Sequence, residues 1–94
     1  MAYHVEFTQE AAQELRALPK HIQKRVIRWA DLLAEDPRRT PSRQLEGCAG
    51  LRRIHASKDY VLVYTVDDKK VLVLIVRVGH RGQGVYKRLP PGKS

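Results

Sequence analysis

Six consecutive apolar residues constrain the fold of this chain more than any other feature: Val71-Leu-Val-Leu-Ile-Val76. A strand with one face in water alternates apolar and polar residues, whereas a strand that is apolar throughout must be covered on both faces. We therefore predict that a strand from Val71 to Val78 lies centrally in a sheet, with something packed on each side. The run is far too short to cross a bilayer, which takes about 20 residues as a helix.

Further strands are predicted before this one. Leu51 to Ala56 and Tyr60 to Val66 have strand-like composition. Asp67 to Lys70 has the length and polarity of a hairpin connection between the last two strands. At the other end of the chain, apolar and polar residues alternate from Tyr3 to Phe7, which predicts a short half-buried strand.

Apolar spacings of three and four predict two helices between the first strand and Asp36. Thr8 can cap the first helix, and Pro19 ends it while setting the first turn of the second. Asp36-Pro37 stops the second helix, because a residue before proline is pushed out of the helical region. The positions predicted to face the core are Ala11, Leu15 and Leu18, then Ile22, Val26, Trp29 or Ala30, and Leu33.

The predicted element order is β-α-α-β-β-β, with a loop from Arg38 to Gly50. This order indicates an α+β fold in which two N-terminal helices cover one face of a four-stranded, mostly antiparallel sheet. The opposite face is then free to carry function. With 94 residues, we expect one domain over 1–94, with about 90–94 as a flexible tail.

The charge is strongly basic, with 18 Lys and Arg against 10 Asp and Glu, a net charge of +8. From Lys69 to Ser94 there are seven Lys or Arg residues and no Asp or Glu, which suits a phosphate backbone. A membrane surface or an acidic protein would also attract this charge. Cys48 is the only cysteine, so an internal disulfide is excluded. Because nothing at the N-terminus resembles a signal peptide, we expect a soluble cytoplasmic protein.

Candidate site residues cluster on two of the predicted strands. Arg53 and His55 flank Ile54, so both side chains fall on the side of their strand away from the core. His80 and Arg81 come just after the end of the last predicted strand, and Tyr86 follows five residues later in the chain. The glycines from residue 79 to 84 match neither a Walker nor a dinucleotide motif. The histidines have no metal-ligand spacing, and the serines lack a nucleophile elbow.

Five segments resemble, in order, the signature of RelE-type toxins of the RelE/ParE superfamily. They are Gln44-Leu-Glu-Gly47, Leu51-Arg-Arg-Ile54, Asp59-Tyr-Val-Leu-Val-Tyr64, Val78-Gly-His-Arg81 and Val85-Tyr86. The resemblance covers nearly the whole chain. It implies a toxin of a type II toxin–antitoxin system that enters the 70S ribosome and cuts mRNA in the A site. The partners it implies are the ribosome, mRNA and an acidic RelB-like antitoxin, with a monomeric toxin inside a hetero-oligomeric complex and no membrane.

The chemistry implied is metal-independent and uses no cofactor. The ribose 2′-hydroxyl attacks the adjacent phosphate, which requires proton transfer, cations for the developing charge and a platform for the base. The catalytic residues implied are Arg53, His55, His80, Arg81 and Tyr86, with Arg81 on the phosphate, His55 or His80 moving protons and Tyr86 stacking on or orienting the nucleotide. The RNA-binding cations proposed are Arg52, Arg77, Lys87, Arg88, Lys24 and Arg28.

Val61 departs from the family pattern, because an arginine usually follows the tyrosine of this strand. A valine offers phosphate no charge, so either Arg52, Arg53 or Arg77 substitutes or the chain is a weaker enzyme. Two other functions compete with the nuclease, the first because the related ParE-like group shares the fold and the second because of Val61. One is a ParE-like inhibitor of DNA gyrase, and the other is a catalytically weakened basic module that binds RNA or the ribosome.

Overall fold

The structure, a computed structural model, describes residues 2–39, 41–45, 50–80 and 82. The elements in chain order are β1 (His4–Phe7), α1 (Gln9–Arg16), α2 (Lys20–Glu35), β2 (Arg43–Gln44), β3 (Leu51–His55), β4 (Tyr60–Asp67) and β5 (Leu72–His80). Within this part of the chain the strands form one sheet in the order β1-β5-β4-β3-β2. β1 runs parallel to β5, and the other neighbours are antiparallel. The predicted α+β class is confirmed.

The sheet has five described strands where the sequence predicted four. The additional strand, β2, is only two residues long and lies in the segment predicted as a loop. Arg43 pairs with Arg53 and Gln44 with Arg52 along the edge of β3. Both β2 residues are exposed and polar, so the segment has no alternation of apolar residues by which a strand could be detected.

The predicted boundary residues lie at or near the helix ends, although α1 ends at Arg16, with Ala17 at its C-cap, and not at Pro19. The Thr8 hydroxyl accepts the backbone N–H of Ala11 at 3.1 Å and caps α1. Pro19 stands at the N-cap of α2, and Asp36 at its C-cap, directly before Pro37. The Gln23 amide donates to the Leu18 carbonyl at 2.8 Å, which joins the start of α2 to the turn before it.

The main core lies between the helices and one face of the sheet. Its fully buried side chains from the sheet include Ile54, Leu62, Tyr64 and Ile75. The helices contribute Ala11, Ile22, Val26, Ala30 and Leu33, as predicted, with Leu15, Leu18 and Trp29 partly buried around them. Tyr64 donates its hydroxyl hydrogen to the Pro37 carbonyl at 2.7 Å, which satisfies a polar group inside the core.

The helix-free face of the sheet also carries apolar side chains. Leu51, Val61, Val63 and Val76 form a second buried cluster there. β5 contributes to both clusters and lies between β1 and β4, as its continuous apolar sequence predicted. Neither described helix is both long and apolar enough to span a membrane.

The β4–β5 connection differs by one residue from the prediction. Asp67 still belongs to β4, and the four turn residues run from Asp68 to Val71. Val71 has a φ of 51°, in the left-handed region that β-branched residues rarely adopt. β5 therefore starts at Leu72 rather than at Val71.

Candidate active site

Arg53 and His55 lie on the helix-free face of β3. In the register of the sheet, Arg53 is opposite Val63 and His55 is opposite Val61. Paired residues on neighbouring strands point to the same face, and both valines belong to the second apolar cluster. The sequence-based placement of these two side chains on one face, away from the helices, is therefore confirmed.

The two side chains touch. Arg53 Nη1 is 3.0 Å from His55 Nε2, and both residues are partly exposed. Arg43 is the register neighbour of Arg53 on its other side, so a second guanidinium-bearing residue stands next to the pair. Within the described ranges, no carboxylate lies at ion-pair distance from Arg53. The guanidinium charge is therefore available to an anionic ligand.

Arg77, which the sequence suggested for RNA binding, is engaged with α1 instead. Its Nε donates to a Glu14 oxygen at 2.9 Å and its Nη2 lies 2.8 Å from the same oxygen, while Glu10 lies 3.6 Å from Nε. The Arg77 side chain is only 12% exposed. The other Glu14 oxygen accepts the backbone N–H of Val78 at 2.9 Å. This arrangement ties α1 to the end of β5, and it neutralises the charge that would bind a phosphate.

His80 lies on the other face of the sheet from His55. It pairs in register with Tyr60, and the two rings meet edge to face with centroids 5.4 Å apart. Tyr60 packs against the main core, on the helix side. Together with Glu14, Leu18 and Pro19, these rings line a cleft of about 320 Å³. The structure thus does not bring His80 together with Arg53 and His55.

A β-bulge explains the position of His80. Val63 pairs with Arg77 but Tyr64 pairs with Ile75, so Val76 is an extra residue on β5. One inserted residue reverses which face every later residue of the strand occupies. Without the bulge, strict alternation from Ile75 would have put His80 on the helix-free face.

Arg52 faces the main core side, opposite Tyr64. Its Nη2 donates to the Ser42 hydroxyl at 3.0 Å and lies 3.4 Å from the Ser42 carbonyl. Its Nε is buried with no hydrogen-bond partner in the described part of the chain. The guanidinium therefore anchors β3 to the segment before β2, away from Arg53.

Lys24 and Arg28 stand on the exposed side of α2, remote in the chain from the β3 pair. With Arg25, Trp29 and Leu32 they line an open cleft of about 520 Å³. The Trp29 indole donates to the Ala56 carbonyl at 3.2 Å, which fixes one wall of this cleft against the end of β3. The four other predicted site residues, Arg81, Tyr86, Lys87 and Arg88, lie outside the described residues.

Two polar residues were not anticipated from the sequence. Glu14 falls on the same side of α1 as Glu10, a spacing of four residues, and an acidic helix stripe opposite a lone strand arginine is the signal that could have revealed the pairing. Arg43 lies in a segment without any strand pattern, so its proximity to Arg53 had no sequence signal.

In the described ranges, no three His, Cys, Asp or Glu side chains converge as a metal site would require.

Comparison with known proteins identifies the class. Residues 5–85 match the family model described as the ParE toxin of the type II toxin–antitoxin system parDE. Toxin RelG of Mycobacterium tuberculosis is 36% identical over 94% of this chain and 100% of its own length. The mRNA interferase toxin RelE of Escherichia coli K12 is 33% identical, covering 86% of this chain and 85% of that protein.

Solved structures agree with these relatives. The toxin of the M. tuberculosis RelBE2 toxin–antitoxin complex has a TM-score of 0.77 and 34% identity, over 86% of this chain and 100% of that one. A mutant of E. coli toxin RelE in the free state has a TM-score of 0.78 and 32% identity, over 92% of each chain. The fold and the family match define a toxin of a type II toxin–antitoxin system. Within that class, this chain belongs to the RelE family, which confirms the sequence resemblance.

Proposed function

We propose that this toxin is a ribosome-dependent endoribonuclease that cuts mRNA in the ribosomal A site through attack by the ribose 2′-hydroxyl, without a metal ion. Its E. coli relative carries the name mRNA interferase, which supports a nuclease rather than a binding module. The reaction needs a proton acceptor for the 2′-hydroxyl and positive charge beside the phosphorane. Both requirements can be met by side chains alone.

The observation that carries the proposal is the contact between Arg53 and His55. A guanidinium such as that of Arg53, which has no carboxylate at ion-pair distance in the described part of the chain, can bind a phosphate through two parallel hydrogen bonds. The imidazole at 3.0 Å from it is within reach of the same phosphodiester, so it can accept the proton of the neighbouring 2′-hydroxyl. The proposed proton acceptor and phosphate-binding cation thus lie side by side, both partly exposed, on one face of β3.

The remaining roles follow from position. We assign proton abstraction to His55 rather than to His80, because His80 lies across the sheet from Arg53. Arg81 remains proposed for the phosphate and Tyr86 for stacking on the nucleotide. Lys24 and Arg28, together with Lys87 and Arg88, remain proposed RNA contacts. Arg52 and Arg77 are supported less, because their guanidinium groups are engaged with Ser42 and Glu14.

The partner proposed for the toxin is an acidic antitoxin. Two similar solved structures are complexes of RelE-type toxins with their antitoxins, from M. tuberculosis and E. coli. A toxin with a net charge of +8 would attract an acidic chain at long range, and binding would cover part of the surface that meets RNA.

Primer extension on one message, with and without ribosomes, tests the proposed activity. We expect cuts only in translated message, because the site supplies few groups with which to orient a bare RNA. Equal cutting of free RNA would contradict the ribosome dependence.

The ParE description of the matched family favours a second candidate, inhibition of DNA gyrase. Loss of gyrase supercoiling without any mRNA cuts would support that candidate and overturn the nuclease.

A further inference from the structure

The hydrogen bond between Arg53 and His55 fixes which nitrogen of His55 carries the proton. A guanidinium has only donors, so Arg53 Nη1 must donate and His55 Nε2 must accept. A neutral imidazole has one N–H and one lone pair, and the bond made by one nitrogen sets the state of the other. His55 is therefore neutral in this contact, with its proton on Nδ1.

His80 shows the reverse arrangement. The backbone N–H of Gly82 donates to His80 Nδ1 at 3.0 Å, so that nitrogen accepts and the proton of the neutral ring is on Nε2. The Nε2–H form is also the commoner one for a free neutral imidazole. His55 is thus held in the less common Nδ1–H form, and the hydrogen bond from Arg53 imposes this form.

We infer that Arg53 is a positioning residue for His55: it holds the ring as the Nδ1–H tautomer, caps the Nε2 lone pair in the free toxin, and releases that lone pair when a phosphate takes over the guanidinium donors. The inference rests on the proposed function for its substrate, an RNA phosphodiester. Its physical basis is that one guanidinium contacts the nitrogen that will act as base and can also contact the phosphate next to the reacting hydroxyl.

The chemical step follows directly from this tautomer. As the 2′ oxygen forms its bond to phosphorus, its proton moves to His55 Nε2 and the ring becomes a cation. The bond from phosphorus to the 5′ oxygen breaks, and that oxygen takes a proton from water. The products are a 2′,3′-cyclic phosphate and a 5′-hydroxyl, and His55 then returns its proton to water. The opposite tautomer would present an N–H to the 2′-hydroxyl and could accept no proton at Nε2.

Nitrogen-15 NMR of the histidine rings tests the inference without any need for activity. Full-length toxin labelled in histidine is studied at a pH where the rings are neutral, with His55→Gln identifying the His55 signals. We expect His55 to show a protonated Nδ1 and a bare Nε2, and His80 the opposite. In Arg53→Gln the His55 pattern should move toward Nε2–H while that of His80 stays unchanged. Arg16→Ala, which removes one exposed arginine elsewhere, is the matched control and should change neither.

A wild-type spectrum with His55 as the Nε2–H form would overturn the inference, and so would an unchanged His55 pattern in Arg53→Gln. Addition of an oligonucleotide with a 2′-deoxy scissile nucleotide should shift the His55 signals and leave those of His21 in place. No shift at saturation would refute the release step. These readouts are independent of cleavage: a wrong tautomer with His55-dependent cleavage leaves the proposed function standing, whereas the expected tautomer in a wild-type toxin that cuts no translated message refutes only that function.

Discussion

The carboxylate of Glu14 joins α1 to β5 through three contacts: Arg77 Nε and Nη2 lie 2.9 and 2.8 Å from one of its oxygens, and the backbone N–H of Val78 donates to the other at 2.9 Å. β1 pairs with β5 only as far as Ile75. Beyond that residue, the outer edge of β5 is held by side chains, because Thr8 donates to the Val76 carbonyl and Glu14 accepts from Val78. Glu14 therefore takes the place of a strand partner.

Glu14→Gln should lower the free energy of unfolding by about 1–3 kcal/mol, the cost of leaving a partly buried charged hydrogen bond unmade. Urea unfolding measures this loss. Glu35→Gln, at the exposed end of α2, removes the same charge and serves as the matched control. A loss no larger for Glu14→Gln than for Glu35→Gln would mean that the bridge contributes nothing to stability.

Stability should also depend on pH through Asp68. Arg38 donates to this carboxylate at 2.9 and 3.1 Å, and Tyr3 donates to it at 2.7 Å. These hydrogen bonds lower the pKa of Asp68 below its ordinary value, and those from Arg38 have the largest effect. A lowered folded-state pKa gives stability above the unfolded pKa that is lost as the pH falls through the folded one. The hydrogen bond that Tyr3 donates to Asp68 raises the pKa of Tyr3.

Asp68→Asn should therefore cost stability near neutral pH and flatten the fall in the urea midpoint below about pH 4. The matched control is Asp31→Asn, on the exposed side of α2, and it should leave that slope as in the wild type. Identical acid profiles for wild type and Asp68→Asn would contradict the account.

The sequence predicted most of the fold because its signals are local. Thr8 and Pro19 mark helix boundaries by their own chemistry, and alternation about Ile54 placed Arg53 and His55 correctly. Prediction from the sequence failed where the structure depends on pairing between residues that are distant in the chain. The bulge at Val76 is a property of how β4 and β5 align, and it decides the face of His80. The partner of Arg77 depends likewise on where α1 packs.

The structure and the family pattern lead to opposite predictions for the substitution Val61→Arg. In the family pattern an arginine stands here, which suggests that Val61→Arg should restore a phosphate contact. In this chain Val61 is fully buried beside Leu51 and Val63. An unpaired guanidinium there should destabilise the fold by about 3–5 kcal/mol. Val61→Met, which adds volume without charge, is the control, and its urea midpoint should lie well above that of Val61→Arg.

The reverse outcome at this position is informative as well. A Val61→Arg toxin that is as stable as Val61→Met and cleaves faster than the wild type would show that the new side chain reaches the surface. It would then supply the transition-state contact that the family arginine implies, about 2.7–4 kcal/mol at most.

Antitoxin binding should weaken and slow as salt rises. The net charge of +8 steers an acidic partner from a distance, and salt screens such steering beyond about 8–10 Å at physiological ionic strength. Association rates of the toxin with its cognate antitoxin, measured from low to high salt, test this expectation. A rate and an affinity that do not change across the series would indicate an apolar contact instead.

Single-turnover cleavage of translated mRNA by His55→Ala tests the central claim most directly. If His55 removes the 2′-hydroxyl proton, cleavage should fall by about 10²–10⁴-fold, the usual worth of a general base. His21→Ala, which removes an exposed histidine of α2, should cleave like the wild type, and urea unfolding should show all three proteins folded. Cleavage by His55→Ala at the wild-type rate would contradict the assignment of this strand face as the active site.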